Sequence, residues 1–362
     1  MKQQGFVLVT TIWILAIIAM AAGFFAMWTE RTIQTAHSLQ DDVQAQIDMH
    51  NTKVSIIYLL TTQRFSYAGL VIPESEKNND AGKTDEEMFE EMLYGKNISY
   101  LPLGSEILLD DRVYKGLGQA RFSLQDESGL LNPNRASLGV FDRFLHLLGI
   151  KLELTAPLIA KLQDYTDLGD YHLINGAESY QYEQRDFFPP PNKLFLSTAE
   201  VQHVLDWKQH DILWQDHRWL NYTTVRAHGL PRLNTAPAIT LQAGYGFDED
   251  TAKRIVAARE IKMPHNEYVL KETTGVDIEL YVADLMDVMF FPSNILRLTL
   301  WHENLPYMQR LHLRLTPAAH KQAPWYIEQT LRLPMMPMYS KSKLYETQTV
   351  FLNPKLSTQK DM

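Results

Sequence analysis

The chain has 362 residues and a formal net charge of -9, with 45% of its residues hydrophobic and 21% charged. This composition excludes a largely disordered chain, and the acidic balance argues against a protein that grips phosphate backbones over a wide surface. Cysteine is absent, which removes thiolate catalysis and Cys-based zinc or iron–sulfur sites.

Phe6 to Trp28 reads FVLVTTIWILAIIAMAAGFFAMW and carries no charge. As a helix it extends about 35 Å, enough to cross a hydrocarbon core of about 30 Å. Lys2 is the only charge before it. By the positive-inside tendency this favours a single pass with the N-terminus on the cytoplasmic side and the bulk of the chain outside. An ordinary signal peptide would end near Ala19-Met20-Ala21, but the apolar run continues through Phe24, Phe25, Met27 and Trp28. A plain anchor explains the run and nothing after it. A prepilin signal explains more. A short leader, residues 1–5, ends in Gly5, and Phe6 opens the apolar stretch, as in substrates of prepilin peptidase. Beyond Glu30 and Arg31 the helix continues as an amphipathic one to residue 68, without Pro or Gly from Phe24 to Ala68. Leu39, Val43, Ile47, Val54, Ile57 and Tyr58 recur at helical spacing and predict the face that packs on a soluble domain.

Residues 69–134 begin with a polar, acidic surface stretch over 71–100. Strands follow at Glu106–Tyr114 and Gly118–Leu124, and Asp126-Glu127-Ser128-Gly129 makes a turn. Residues 135–290 change to helical patterning. Helices are predicted at 141–148, ending at Gly149, and at 156–165, with Pro157 in the first turn. Another is predicted at 198–210 with Thr198 as N-cap. Further helices fall at 236–243, 249–260, 268–272 and 278–288. Residues 291–335 return to alternation and predict antiparallel strands, and residues 336–362 read as a loosely ordered tail. A helical block between two groups of strands implies an insertion into one α+β domain.

DESGLLNPNRAS (126–137) and LPRLNTAPAITL (230–241) look like two versions of one device, with Asn before a helix as cap or turn residue. With Asp164-Tyr165-Thr166-Asp167, Ala177-Glu178-Ser179-Tyr180 and the Ala252–Arg259 helix, they resemble, in order, the K-type minor pseudopilin of type II secretion (general secretion pathway protein K). Tyr180 stands one residue earlier than in that family's Ala-Glu-x-x-Tyr pattern. The resemblance covers residues 1 to about 300.

It implies a pilin-like α+β fold, with a long N-terminal helix and antiparallel sheet interrupted by a large all-helical insert of SAM-like, helix-hairpin-helix-like type. It implies no enzymatic activity. Expected instead are cleavage after Gly5, N-methylation of Phe6 and membrane lipid around the helix. The expected partners are the I-type and J-type minor pseudopilins, prepilin peptidase and the inner-membrane assembly platform. The expected role is initiation, at the tip, of the pseudopilus that exports folded proteins. Thr10 stands where most pilins carry Glu. A carboxylate in lipid needs a partner, so Thr10 fits a subunit with no neighbour above it.

Asp164, Asp167, Asp170 and Glu178 cluster in an irregular, Gly-containing stretch suited to calcium, whose coordination tolerates irregular geometry. The resemblance implies calcium in the insert as well. His203, His210 and His217 would sit about 10 Å apart along a helix, too far to share one ion. Residues 233–260 also resemble a DNA-binding helix-hairpin-helix, with Gly244-Tyr245-Gly246 as the hairpin. Asp248, Glu249 and Asp250 would repel phosphate there, so no nucleic-acid partner is expected. A DNA-binding membrane protein and a type IV pilus minor pilin are the alternatives.

Overall fold

The computed structural model describes residues 4–72, 100–317, 323–347, 349 and 351–353. Leader residues 1–3, most of the acidic stretch 71–100 and the end of the tail lie outside the described residues. Helix α1 runs unbroken over Gln4–Thr62. Its apolar first half is exposed where its side chains are described, and it is the one helix among the described residues long and apolar enough to cross a membrane.

The second half lies on a six-stranded sheet of order β7-β6-β5-β4-β3-β8. The strands are β3 (Asp110–Lys115), β4 (Ala120–Asp126), β5 (Ile295–His302), β6 (Tyr307–Leu315), β7 (Trp325–Pro334) and β8 (Leu344–Tyr345). A separate hairpin pairs β1 (Gly69–Leu70) with β2 (Ile107–Leu108). The α+β class and the long N-terminal helix match expectation. The sheet is mixed, because β8 joins β3 in parallel while the other pairs are antiparallel.

Alternation in the strands decides the two faces of the sheet. Phe122 and Leu124, Leu296, Leu298 and Leu300, and Leu311 and Leu313 form one apolar face against α1. The helix meets them with Ala45, Met49, Ile56, Leu59 and Leu60. This is not the face expected from the sequence. Leu39, Val43, Ile47, Val54 and Tyr58 are exposed. At about 100° per residue they lie on the opposite side of α1. The helix therefore has two apolar stripes, and the one through Ala45, Met49, Ile56, Leu59 and Leu60 takes the sheet.

The other face of the sheet is polar and is covered by the segments between β4 and β5. Arg297 and Arg310 are fully buried there. Both bond the Leu220 carbonyl; Arg297 also reaches the Asn221 carbonyl and Asp111, and Arg310 the Asn221 side chain. Residues 336–347, expected to be loosely ordered, close this face instead. Met336 and Tyr339 are buried beside Trp301 and Met308.

The insert contains α2 (Leu138–Leu147), α3 (Leu152–Thr166), α4 (Ser179–Glu183), α5 (Asp211–Trp214), α6 (Arg218–Tyr222), α7 (Ala238–Tyr245), α8 (Glu249–Ile261) and α9 (Glu267–Thr274). Pro157 falls inside α3 rather than in its first turn. The helix expected at 198–210 is two 3-10 turns, Thr198–His203 and Trp207–Gln209, and Ser197, not Thr198, caps the first. Asp206 stands between them in a left-handed conformation with φ of 71°, which an α-helix cannot contain. The segment expected as a helix at 278–288 is likewise two 3-10 turns. The insert core is aromatic. Trp207 and Trp219 meet edge to face at 5.2 Å, with Phe141 and Phe144 around them. Each indole N–H finds a backbone carbonyl, of Leu158 and Thr198 respectively, as a buried Trp requires.

Candidate metal centre

Helix α3 ends at Thr166, and its last turn delivers Asp164 into the protein, fully buried. Asp167 follows as the C-cap and is exposed. The chain then loops out and returns at Glu178, the buried N-cap of α4. The loop is tied to the acids themselves. Leu173 N–H donates to both Asp164 oxygens at 3.2 and 3.1 Å, and Gly169 N–H donates to Asp167 Oδ1 at 3.0 Å. Gly176 N–H closes a turn onto the Leu173 carbonyl.

Asp164, Asp167 and Glu178 each offer an oxygen within 4.8 Å of the others, the one such group among the described residues. Asp170 is not in that set. It lies exposed on the same loop, and the Asn192 amide donates to its Oδ1 and to the Gly169 carbonyl. His203, His210 and His217 form no such group.

The electrostatics of the cluster are those of a group that could hold a cation. Glu178 and Gln181 are arranged as a capping box, but neither buried Glu178 oxygen makes a full hydrogen bond. Burial pushes the Glu178 carboxyl up to about 7, and Asp164, Asp167 and Asp170 add to that rise. Burial also raises Asp164, and Asp167 adds to it. A helix C-terminus carries partial negative charge, so the end of α3 is a poor place for carboxylates without a counter-ion. The donors are all hard oxygens on an irregular loop, which fits Ca²⁺ better than Zn²⁺.

The two Asn segments face each other across the junction of sheet and insert. Asp126 accepts from Ser128 N–H, from Ser293 N–H and Oγ, and from Thr235 Oγ1. Gln125 reaches the Thr235 carbonyl, and Thr240 Oγ1 the Gly129 carbonyl. The asparagines are ties more than caps. Asn132 accepts from Asn134 N–H and donates to the Ala227 carbonyl. Asn234 donates to the Tyr67 and Pro264 carbonyls. The caps nearby are Ser137 for α2 and Pro237 for α7.

In the hairpin, Gly246 ends α7 with φ of 77°. Asp248 caps α8, its Oδ1 accepting from Thr251 N–H at 2.7 Å. A carboxylate thus occupies the position where a phosphate would sit. Of the processing residues, Gly5 and Phe6 lie in the first turns of α1.

No protein-family model matches the chain, and no curated protein matches it. Among solved structures it is similar to a chain from the crystal structure of the GspK–GspI–GspJ complex of the enterotoxigenic Escherichia coli type 2 secretion system. The identity is 12%, the TM-score is 0.44, and the match covers 85% of this chain and 99% of that one.

Proposed function

We propose that this chain is a minor pseudopilin of K type, which starts a type II secretion pseudopilus at its tip and catalyses no reaction. The observation that carries this reading is α1. One continuous helix of 59 residues has an exposed apolar first half and a second half packed on a sheet. An isolated membrane anchor has no need of that continuity, whereas a subunit that slides out of the membrane into a filament does. The exposed stripe of Leu39, Val43, Ile47, Val54 and Tyr58 supports packing beside partner helices, since such a stripe on a monomer marks an interaction surface.

On this reading prepilin peptidase cleaves after Gly5 and Phe6 is N-methylated. The N-terminus is cytoplasmic, and the sheet and insert are periplasmic. The I-type and J-type minor pseudopilins and the inner-membrane assembly platform are its partners. Asp164, Asp167 and Glu178, with Asp170 nearby, hold calcium, which would neutralise the buried carboxylates and fasten the loop between α3 and α4.

Co-purification of the full chain with I-type and J-type pseudopilins from detergent-solubilised membranes tests the assignment. A stable ternary complex is expected, and its absence would remove the tip reading. N-terminal sequencing of the mature chain tests the processing. A start at Phe6 is expected, and a start at Ala22 overturns it.

A further inference from the structure

Strand β7 ends the sheet, and no described strand lies on its far side. It is ten residues long, and Pro334, at its end, is its only proline. In an antiparallel sheet the N–H and C=O groups of alternate residues point away from the neighbouring strand. A bulge at Glu328 interrupts this edge, so the regular template it offers another strand is its second half, from Gln329 to Pro334.

Beside this edge runs a groove of about 280 Å³ between α1 and the sheet. Its wall is Gln46, Met49, His50 and Lys53 of α1, and its floor includes Tyr307, Thr330 and Arg332. Register places Thr330 opposite Leu311 and Arg332 opposite Gln309. Both therefore project on the α1 side of the sheet, as Leu311 does. The Arg332 guanidinium lies over the Tyr307 ring at 3.4 Å from its centroid. That stacking leaves the N–H fork in the ring-parallel plane free to bind a carboxylate side-on.

The charge of the groove runs against that of the molecule. The chain carries a net charge of -9. Yet the lining holds Lys53, Arg332 and His50 and no carboxylate. Asp42, one helical turn before Gln46 on α1, does not line it.

We propose that the β7 edge and this groove together dock an extended, acidic segment of a partner protein. The segment adds a strand to β7 and directs alternate carboxylates onto Arg332 and Lys53. Backbone pairing supplies affinity, and the two cations select the sequence, as in other strand-addition sites. The inference does not depend on the pseudopilin assignment.

The test uses the full chain in detergent micelles and a fluorescent synthetic peptide alternating valine with glutamate. Fluorescence anisotropy should show binding that weakens with salt. The lysine-for-glutamate peptide should bind at least about tenfold more weakly. The Lys53→Glu, Arg332→Glu double variant should invert that preference. Of the two glutamate peptides N-methylated at alternate residues, both keep their charge, and the one whose methyls face β7 should lose binding. Equal binding of acidic and basic peptides overturns the charge selection. Undiminished binding of both N-methylated peptides overturns the strand addition. Both peptide comparisons use the unaltered protein, so they stand even if the double variant fails to fold.

Discussion

Gly176 presses on Asp164: a Cβ built on the glycine would stand 1.9 Å from Asp164 Oδ2. The carboxylate cannot swing away freely, because Leu173 N–H holds both of its oxygens. Gly176→Ala should therefore displace the buried acid and loosen the loop. We expect destabilisation of about 1–3 kcal/mol in urea unfolding, the usual cost of overpacking. We also expect calcium affinity to fall by more than tenfold, or about 1.4 kcal/mol. Unchanged calorimetric binding by this variant would show that Asp164 is not a ligand.

Glu178→Gln separates repulsion from ligation, because the two effects have opposite signs. In the presence of a chelator the substitution removes a buried, unpartnered charge beside Asp164 and should raise Tm. In excess calcium it should lower Tm relative to the unsubstituted chain. A ligand at a hundredfold excess over Kd stabilises by about 2.7 kcal/mol. Losing one charged ligand should remove about half of that. Thermal scans with calcium and with chelator check both signs. A variant with equal Tm shifts in both conditions would show that the cluster binds no metal.

Acid should weaken the seam between insert and sheet. His312 Nδ1 meets the fully buried Glu127 at 2.5 Å, with Thr224 and Arg226 of the insert on the other carboxylate oxygen. Arg314 and Arg226 also share Glu328. Burial pushes Glu127 up, but His312 and Arg226 outweigh it and hold it at about 2. Burial pushes His312 below its ordinary 6.5. Below that pH the unfolded chain takes a proton that the folded chain resists, so stability falls as pH drops through 6.5. Glu127 adds a second loss as pH falls from 4.5 toward 2. Urea unfolding at a series of pH values should show this decline. His312→Asn should flatten its upper part, and a profile identical to that of the parent would refute the assignment to His312.

The tail reports how much of the fold was legible in advance. Nothing in its Pro-, Ser- and Lys-containing composition marks Tyr339 as buried. Its partners Asp111, on β3, and Arg310, on β6, are distant in sequence and meet only once the strands from β3 to β6 are assembled. For the same reason the row of α1 that faces the sheet is not the one its apolar spacing marks. Leu39 and Val43 are more apolar than Ala45 and Thr52, yet the latter pair is buried, because the partner surface of a helix with two apolar stripes is set by strands distant in sequence. The acidic cluster was readable, because Asp164, Asp167 and Glu178 lie close in sequence, although the role of Asp170 depends on where Asn192 returns. Helix ends were readable to within a few residues. The 3-10 turns were not, since left-handed Asp206 interrupts a pattern that is helical in composition.

Tyr339→Phe tests whether that tail is structural. The hydroxyl donates to Asp111 Oδ2 at 2.7 Å and accepts from Arg310 at 3.2 Å. Removing it leaves a fully buried guanidinium and a carboxylate each one partner short. The expected loss is about 1–3 kcal/mol. Chemical denaturation measures it, and a change near zero would mean that water replaces the hydroxyl and the tail merely covers the sheet.

Gly129→Ala tests the contact between the two Asn segments. A Cβ on Gly129 would stand 2.8 Å from the Ala236 nitrogen and 2.8 Å from the Thr235 carbonyl carbon. Both atoms are backbone, so no side chain can turn aside. Four ties cross at this point: Arg232 N–H to the Ser128 carbonyl, Gln125 to Thr235, Thr235 to Asp126, and Thr240 to Gly129. One added methyl must open several of them together, so the cost should reach or pass the upper end of the roughly 1–3 kcal/mol range for overpacking. Gly139→Ala is the control. It lies at an exposed position of α2, where a Cβ meets only an Arg143 nitrogen at 3.8 Å, and there alanine should stabilise slightly through helix propensity. If Gly129→Ala unfolds in urea at the same midpoint as the parent, the sheet and the insert are not locked at this junction. The repeated Asn motif would then serve each half separately.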